Sequence, residues 1–129
     1  EYLELLVEEI VGSFPGSARI KLETKVEDFI LNIKILSPLG IIVNELITNI
    51  MKYAFTGRES GEIFLSAVLE NSKVQVVISD NGVGIPESVD SGSSAGFGLD
   101  LVKMLIEQIG ASIYIDRSSG TRFVIEFDV

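Results

Sequence analysis

The sequence contains no histidine, no cysteine and no tryptophan among its 129 residues. The missing histidine removes imidazole acid–base catalysis, imidazole metal ligation and histidine triads together. It also removes any histidine within the chain that could accept a phosphoryl group. Without cysteine there are no disulfides, thiol nucleophiles or thiolate metal sites, although this absence favours the cytosol only weakly. Cations are scarce too: ten Lys and Arg stand against nineteen Asp and Glu, for a net charge of −9. Such a chain is a poor nonspecific binder of nucleic acid or anionic membrane. An anionic ligand would need a few placed cations and main-chain N–H groups. No uninterrupted apolar run approaches the roughly 18 residues of a membrane span. The opening residues do not read as a basic-then-apolar leader, so secretion is not expected.

What is present has the composition of a globular domain, with 47% apolar and 22% charged residues. The length suits one domain with a real core, so residues 1–129 are expected to form a single unit. The chain opens on Glu1 and has Met51 and Met104 as its only methionines, which reads as a piece of something longer.

Leu3, Leu6, Val7, Ile10 and Val11 mark an amphipathic helix stopped at Gly12. From residue 18 the chain alternates, Ile20, Leu22, Thr24 and Val26 against Arg19, Lys21, Glu23 and Lys25, as a half-buried strand does. Phe29, Leu31 and Ile33 suggest a second, shorter strand. Pro38 suits the first turn of a long helix running to about Phe55. Two strands over 63–70 and 74–80 are joined by Asn71-Ser72, a tight hairpin. Residues 86–97 are rich in Ser and Gly and show no period. Leu99, Val102, Leu105, Ile106 and Ile109 predict a helix closed by Gly110, and a last hairpin turns at 118–120. Helices recurring between antiparallel hairpins predict an α/β (α+β) two-layer sandwich, a mixed, mostly antiparallel sheet with helices on one face.

Three segments carry candidate chemistry. On the long helix, Glu45, Asn49, Lys52 and Tyr53 fall within an arc of roughly 100° on an ideal wheel, opposite a core stripe of Val43, Leu46, Ile47, Ile50 and Ala54. A carboxylate, a carboxamide, an ammonium and a phenol side by side suit a magnesium nucleotide. The bland alternative is the wet face of an amphipathic helix. Second, Asp80 ends a strand, and its carboxylate is expected to emerge at the sheet edge. In Asp80-Asn81-Gly82-Val83-Gly84 no strand follows the Asn-Gly pair, so a hairpin does not fit. Two glycines one residue apart imply positive φ or close approach to the backbone. Third, Gly96-Phe97-Gly98 before a helix offers N–H groups and the positive end of a dipole, or simply a glycine-rich helix entry. It matches neither a dinucleotide fingerprint nor a P-loop.

Taken in order, these segments resemble the GHKL superfamily of Bergerat-fold ATPases, which spans gyrase, a heat-shock chaperone, histidine kinases and a mismatch-repair ATPase. Asn44-Glu45-Leu46-Ile47-Thr48-Asn49-Ile50-Met51-Lys52-Tyr53-Ala54-Phe55 resembles the N box, Asp80 to Pro86 the G1 box, and Gly96-Phe97-Gly98-Leu99-Asp100-Leu101-Val102 the G2 box. Gly120-Thr121-Arg122-Phe123 matches the closing Gly-Thr hairpin. The endings Lys-Tyr-Ala-Phe and Gly-Thr-Arg-Phe are most similar to the second histidine-kinase subfamily.

The resemblance implies a histidine kinase catalytic and ATP-binding (HATPase) domain that uses ATP and Mg²⁺. Asn49 would be the metal ligand and Glu45 the candidate base. Lys52 would meet phosphate, and Tyr53 would line the nucleotide. Asp80 would accept the adenine amino group, with Thr121 nearby through water, and Gly82, Gly84 and Ile85 would flank the base. Gly96, Phe97, Gly98 and Leu99 would cradle phosphates, and residues 86–97 would be the ATP lid. The implied partners are a histidine-bearing dimerisation domain of the same parent protein and a response regulator receiver domain, with no nucleic acid and no direct membrane contact. The implied location is cytoplasmic, with a parent that can itself be membrane-anchored. An anti-sigma-type serine kinase shares the same boxes, as does a degenerate docking module without transfer activity. Two departures stand out: Ile50 occupies a position where the family has a small residue, and the expected lid is short and lacks a separate phenylalanine box, leaving Phe97 as its substitute.

Overall fold

The computed structural model describes residues 2–14, 19–27, 29–55, 60–83, 97–118 and 120–129, with the side chains of 97–99 excepted. The elements run α1 (Tyr2–Gly12), β1 (Ile20–Val26), α2 (Ile33–Asn49), a π-helical turn (Ile50–Ala54), β2 (Gly61–Glu70), β3 (Lys73–Asp80), α3 (Phe97–Gln108), β4 (Ser112–Asp116) and β5 (Thr121–Asp128). The five strands form one sheet in the order β1-β2-β3-β5-β4. Only β1 and β2 pair in parallel, joined through α2; the other neighbours are antiparallel. The expected mixed, mostly antiparallel sheet is therefore present, with β3 at its centre.

Period-2 patterning explains the sheet's two faces. Ile63, Leu65 and Ala67 of β2, Val74, Val76 and Ile78 of β3, and Phe123, Ile125 and Phe127 of β5 all point to one side and are buried. Leu3, Val7 and Val11 of α1, Ile42, Val43, Leu46 and Ile47 of α2, and Val102, Leu105 and Ile106 of α3 cover that side. The helix α2 packs against both α1 and α3. With its π turn it forms a 22-residue helix that is, by length and composition, apolar enough to cross a membrane. Here its apolar stripe is spent on the core.

Two sequence expectations are corrected. The segment around Phe29, Leu31 and Ile33 is not a strand. Asn32 takes an extended conformation (φ −61, ψ 141) and its side chain accepts from the Lys34 N–H, capping a helix that starts at Ile33. The apolar alternation there is real: Phe29 and Leu31 pack on the core while Ile30 is fully exposed. It serves an extended lead-in rather than a ladder. Pro38 consequently lies inside α2 and not in its first turn, where its missing N–H leaves one helical bond unmade.

The two hairpins follow their turn chemistry. Asn71 and Ser72 both adopt positive φ (53° and 61°), the pairing a two-residue type I′ turn requires. Gly110 ends α3 with φ +70, and the Ala111 N–H reaches back to the Ile106 carbonyl at 2.9 Å.

Candidate functional site

Asp80 is the last residue of the central strand, paired with Ile63 of β2 on one side and Thr121 of β5 on the other. Strands flank it on both sides, so it does not emerge at the sheet edge. It is 6% exposed, and Thr121 beside it is fully buried. The Gly82 N–H donates to Asp80 Oδ1 at 2.8 Å, an Asx-type turn that fixes the carboxylate's rotation. From the other side comes Gly120, at φ +75; a Cβ there would overlap the Asp80 main-chain oxygen and crowd Oδ1. The carboxylate is thus set by main chain packed around it.

Gly82 answers the question its sequence posed, with an unexpected partner. A Cβ on Gly82 would overlap the carbonyl of Ala54, the last residue of the π turn. The next residue, Val83, donates its N–H to that same carbonyl at 2.6 Å. This close approach comes from the protein's own helix. Ala54 thereby fastens the helix that carries the polar face to the turn that carries Asp80.

On that helix, Asn49 is the final residue of α2 and is 5% exposed. Its Nδ2 has no hydrogen-bond partner among the described residues. A buried unsatisfied amide costs on the order of 1–3 kcal/mol, and a carboxamide can turn over to present either its oxygen or its NH₂. Glu45, one turn earlier, is half-buried. Lys52 and Tyr53 lie on the π turn, Lys52 exposed and Tyr53 packed at the margin of the core. A π turn closes i→i+5 rather than i→i+4, so the ideal α wheel does not describe these last two positions. Ile50 is fully buried in the core and faces away from the polar side, so its bulk does not narrow the site.

Phe97, Gly98 and Leu99 open α3, whose axis packs against α2. Gly84, Ile85, Gly96 and the lid expected over 86–97, apart from Phe97, lie outside the described residues. Two features of the site escaped sequence reading. Ala54 gives no polar signal at all, and Gly120 stood only as part of a motif.

The residues fit a magnesium nucleotide. The Asn49 Nδ2 finds no partner among the described residues, so its carboxamide is free to turn and would offer its oxygen as a hard ligand, while Lys52 supplies a cation to a chain of net charge −9. Among the described residues no group of three acidic side chains could hold an ion alone. A divalent cation here would depend on phosphate oxygens for much of its coordination, as magnesium at nucleotides does. A hollow of about 360 Å³, lined by Glu70, Lys73 and Glu126 among others, includes none of these residues and sits at the far end of β2 and β3 from Asp80.

Residues 36–129 match the family described as histidine kinase-, DNA gyrase B-, and HSP90-like ATPase, and the chain belongs to that family. It is 28% identical over 120 residues to blue-light-activated histidine kinase 2 of Erythrobacter litoralis, covering 92% of this chain and 34% of that protein. It is 30% identical over 108 residues to the serine-protein kinase RsbW of Listeria monocytogenes, covering 70% of this chain and 68% of that kinase. Among solved structures, the histidine kinase domain of the E. litoralis EL346 blue-light activated kinase superposes with a TM-score of 0.87 at 25% identity, over 98% of this chain and 59% of that one. The chain therefore spans about a third of the length of its blue-light histidine kinase relative.

Proposed function

We propose that this domain binds ATP with magnesium and presents the γ-phosphoryl group to a histidine on a separate dimerisation domain, as one step of two-component signalling. What supports the reading most directly is the Ala54 junction, which joins the turn of the buried Asp80 carboxylate to the helix of a buried Asn49 whose Nδ2 has no partner among the described residues. In this assignment Asp80 accepts the adenine amino group, with Thr121 beside it. Tyr53 lines the nucleotide, and Lys52 and the α3 entry (Gly98, Leu99) meet phosphate. Asn49 holds the magnesium ion, which when bound neutralises charge on the phosphates. Glu45 orients the incoming acceptor. The chain has no histidine, so the acceptor must be supplied by another domain, and a receiver domain would take the phosphoryl group onward. ATP use of this kind belongs on the cytoplasmic side. Catalysis here is positioning plus charge neutralisation.

The kinship to a serine-protein kinase over 68% of its length keeps one alternative in view, transfer to a protein serine. One experiment separates them. The domain is incubated with γ-labelled ATP and the parent's histidine-bearing domain, and the stability of the product in acid is read. Acid-labile label, lost in Asn49→Asp and Asp80→Asn variants, is the expected result. Acid-stable label would favour the serine kinase, and normal turnover by both variants would remove the nucleotide assignment.

A further inference from the structure

The last residue of β3 is a precarious place for a recognition group, because strand ends fray. Asp80 is the final ladder partner of Ile63, and the chain then leaves the sheet. One residue beyond, however, the pairing is continued by a side chain. The Asn81 N–H donates to the Glu62 carbonyl at 3.2 Å, and the Glu62 N–H donates to Asn81 Oδ1 at 2.8 Å. The carboxamide oxygen stands where the carbonyl of a continuing strand would have stood. It closes a two-bond ring between β2 and the Asp80 turn.

That oxygen is engaged with β2. Asn81 borders a hollow of about 140 Å³ with Lys21, Glu23, Glu62 and Asp80. Lys21, Glu23 and Glu62 lie on the sheet's uncovered side, exposed to solvent, and Asn81 is exposed as well. Asp80 is therefore bracketed: Gly82 sets its rotamer from one side, and Asn81 pins its main chain to β2 from the other.

We infer that Asn81 is a positioning residue for Asp80 and thereby a determinant of nucleobase choice. The inference rests on the ATP reading above. Adenine offers an amino donor at its six-position, where guanine offers a carbonyl. A carboxylate held in one place accepts the first and repels the second; one that can swing away loses that discrimination.

The test is a fluorescence competition titration of ATP and GTP on wild type, Asn81→Ala and Asn81→Asp, with thermal melting of each. Asn81→Ala should weaken ATP about tenfold, as expected for one lost hydrogen bond near a charged group, and leave GTP nearly unchanged, so the ATP preference narrows by the same factor. Asn81→Asp keeps an oxygen for the Glu62 N–H and should restore the preference. An unchanged ATP-to-GTP ratio in Asn81→Ala, or equal loss in both variants, overturns the inference. If Asn81→Ala does not melt cooperatively, Asn81→Ser, too short to reach Glu62, takes its place in the comparison. Wild type binding no ATP would instead overturn the nucleotide reading itself.

Discussion

The strand end and the helix end of this site are built on opposite plans. At the strand end, Asp80 is placed mostly by main chain, a Gly82 N–H, the bare α-carbon of Gly120 and the paired strands β2 and β5, with the Asn81 side chain continuing the ladder. At the helix end, Asn49, Lys52 and Tyr53 are side chains carried on a helix whose regularity breaks at Ile50. The first plan gives a fixed carboxylate and leaves no room for variation. The second places polar side chains along a helix, and among the described residues the buried Nδ2 of Asn49 has no partner. The lesson is that the fixed position of Asp80 is encoded largely in glycines, whereas the polar groups of the other end are carried by a helix that ends in a π turn.

This contrast can be broken most severely at the strand end. Gly120→Ala adds a carbon that overlaps the Asp80 carbonyl at a positive φ. Overpacking and left-handed strain together predict a loss of about 4 kcal/mol, read by chemical denaturation, with nucleotide binding lost as well. A Gly120→Ala variant of wild-type stability would show that β5 can shift freely away from Asp80.

A smaller effect sharpens the helix side. Ile50 directly follows Asn49 and is fully buried. Ile50→Ala, although it restores the family's small residue, should cost about 3 kcal/mol by cavity formation while leaving ATP affinity within about threefold once the fold is secured. Loss of affinity without loss of stability would mean that Ile50 shapes the site rather than the core.

The smallest effect lies beside the strand end, in the β4–β5 turn. The Ser118 N–H and hydroxyl donate to Asp116 Oδ1 at 2.9 and 2.7 Å. These bonds, helped by the Arg122 charge, hold the Asp116 carboxyl below the usual carboxylate range. Because the folded value is depressed, the stabilisation is full above the unfolded value and is lost as pH falls through the folded one. Acid titration of Asp116→Asn against wild type should therefore show curves that converge below about pH 4. Curves that stay parallel into acid would mean the turn does not depend on this charge.

Much of the fold could be read from the chain. The alternation from Ile20 to Val26, the Asn71-Ser72 turn and the Gly110 stop each follow from local chemistry, and all three stand. The lead-in to α2 was misread because the alternation of Phe29, Leu31 and Ile33 mimics a strand and masked Asn32, whose side chain accepts from the Lys34 N–H as a helix cap. The π turn was equally hidden, since one added residue per turn leaves the apolar stripe nearly intact. At the site, the residue types at Asn49 and Asp80 were legible. The neighbour that makes Gly82 necessary was not, because Ala54 lies 28 positions earlier in the chain (82 − 54) and touches it only after the sheet and helices assemble.

The fit of Gly82 against Ala54 bears on how relatives of this chain should be judged. Any other amino acid at that position drives a carbon into a carbonyl the architecture cannot spare, whether or not the domain still handles nucleotide. A diverged member that has given up phosphoryl transfer would keep this glycine simply to fold. Its presence in a sequence therefore testifies to shape, and under the function proposed above the carboxamide that closes α2 is the place to look for a living catalyst.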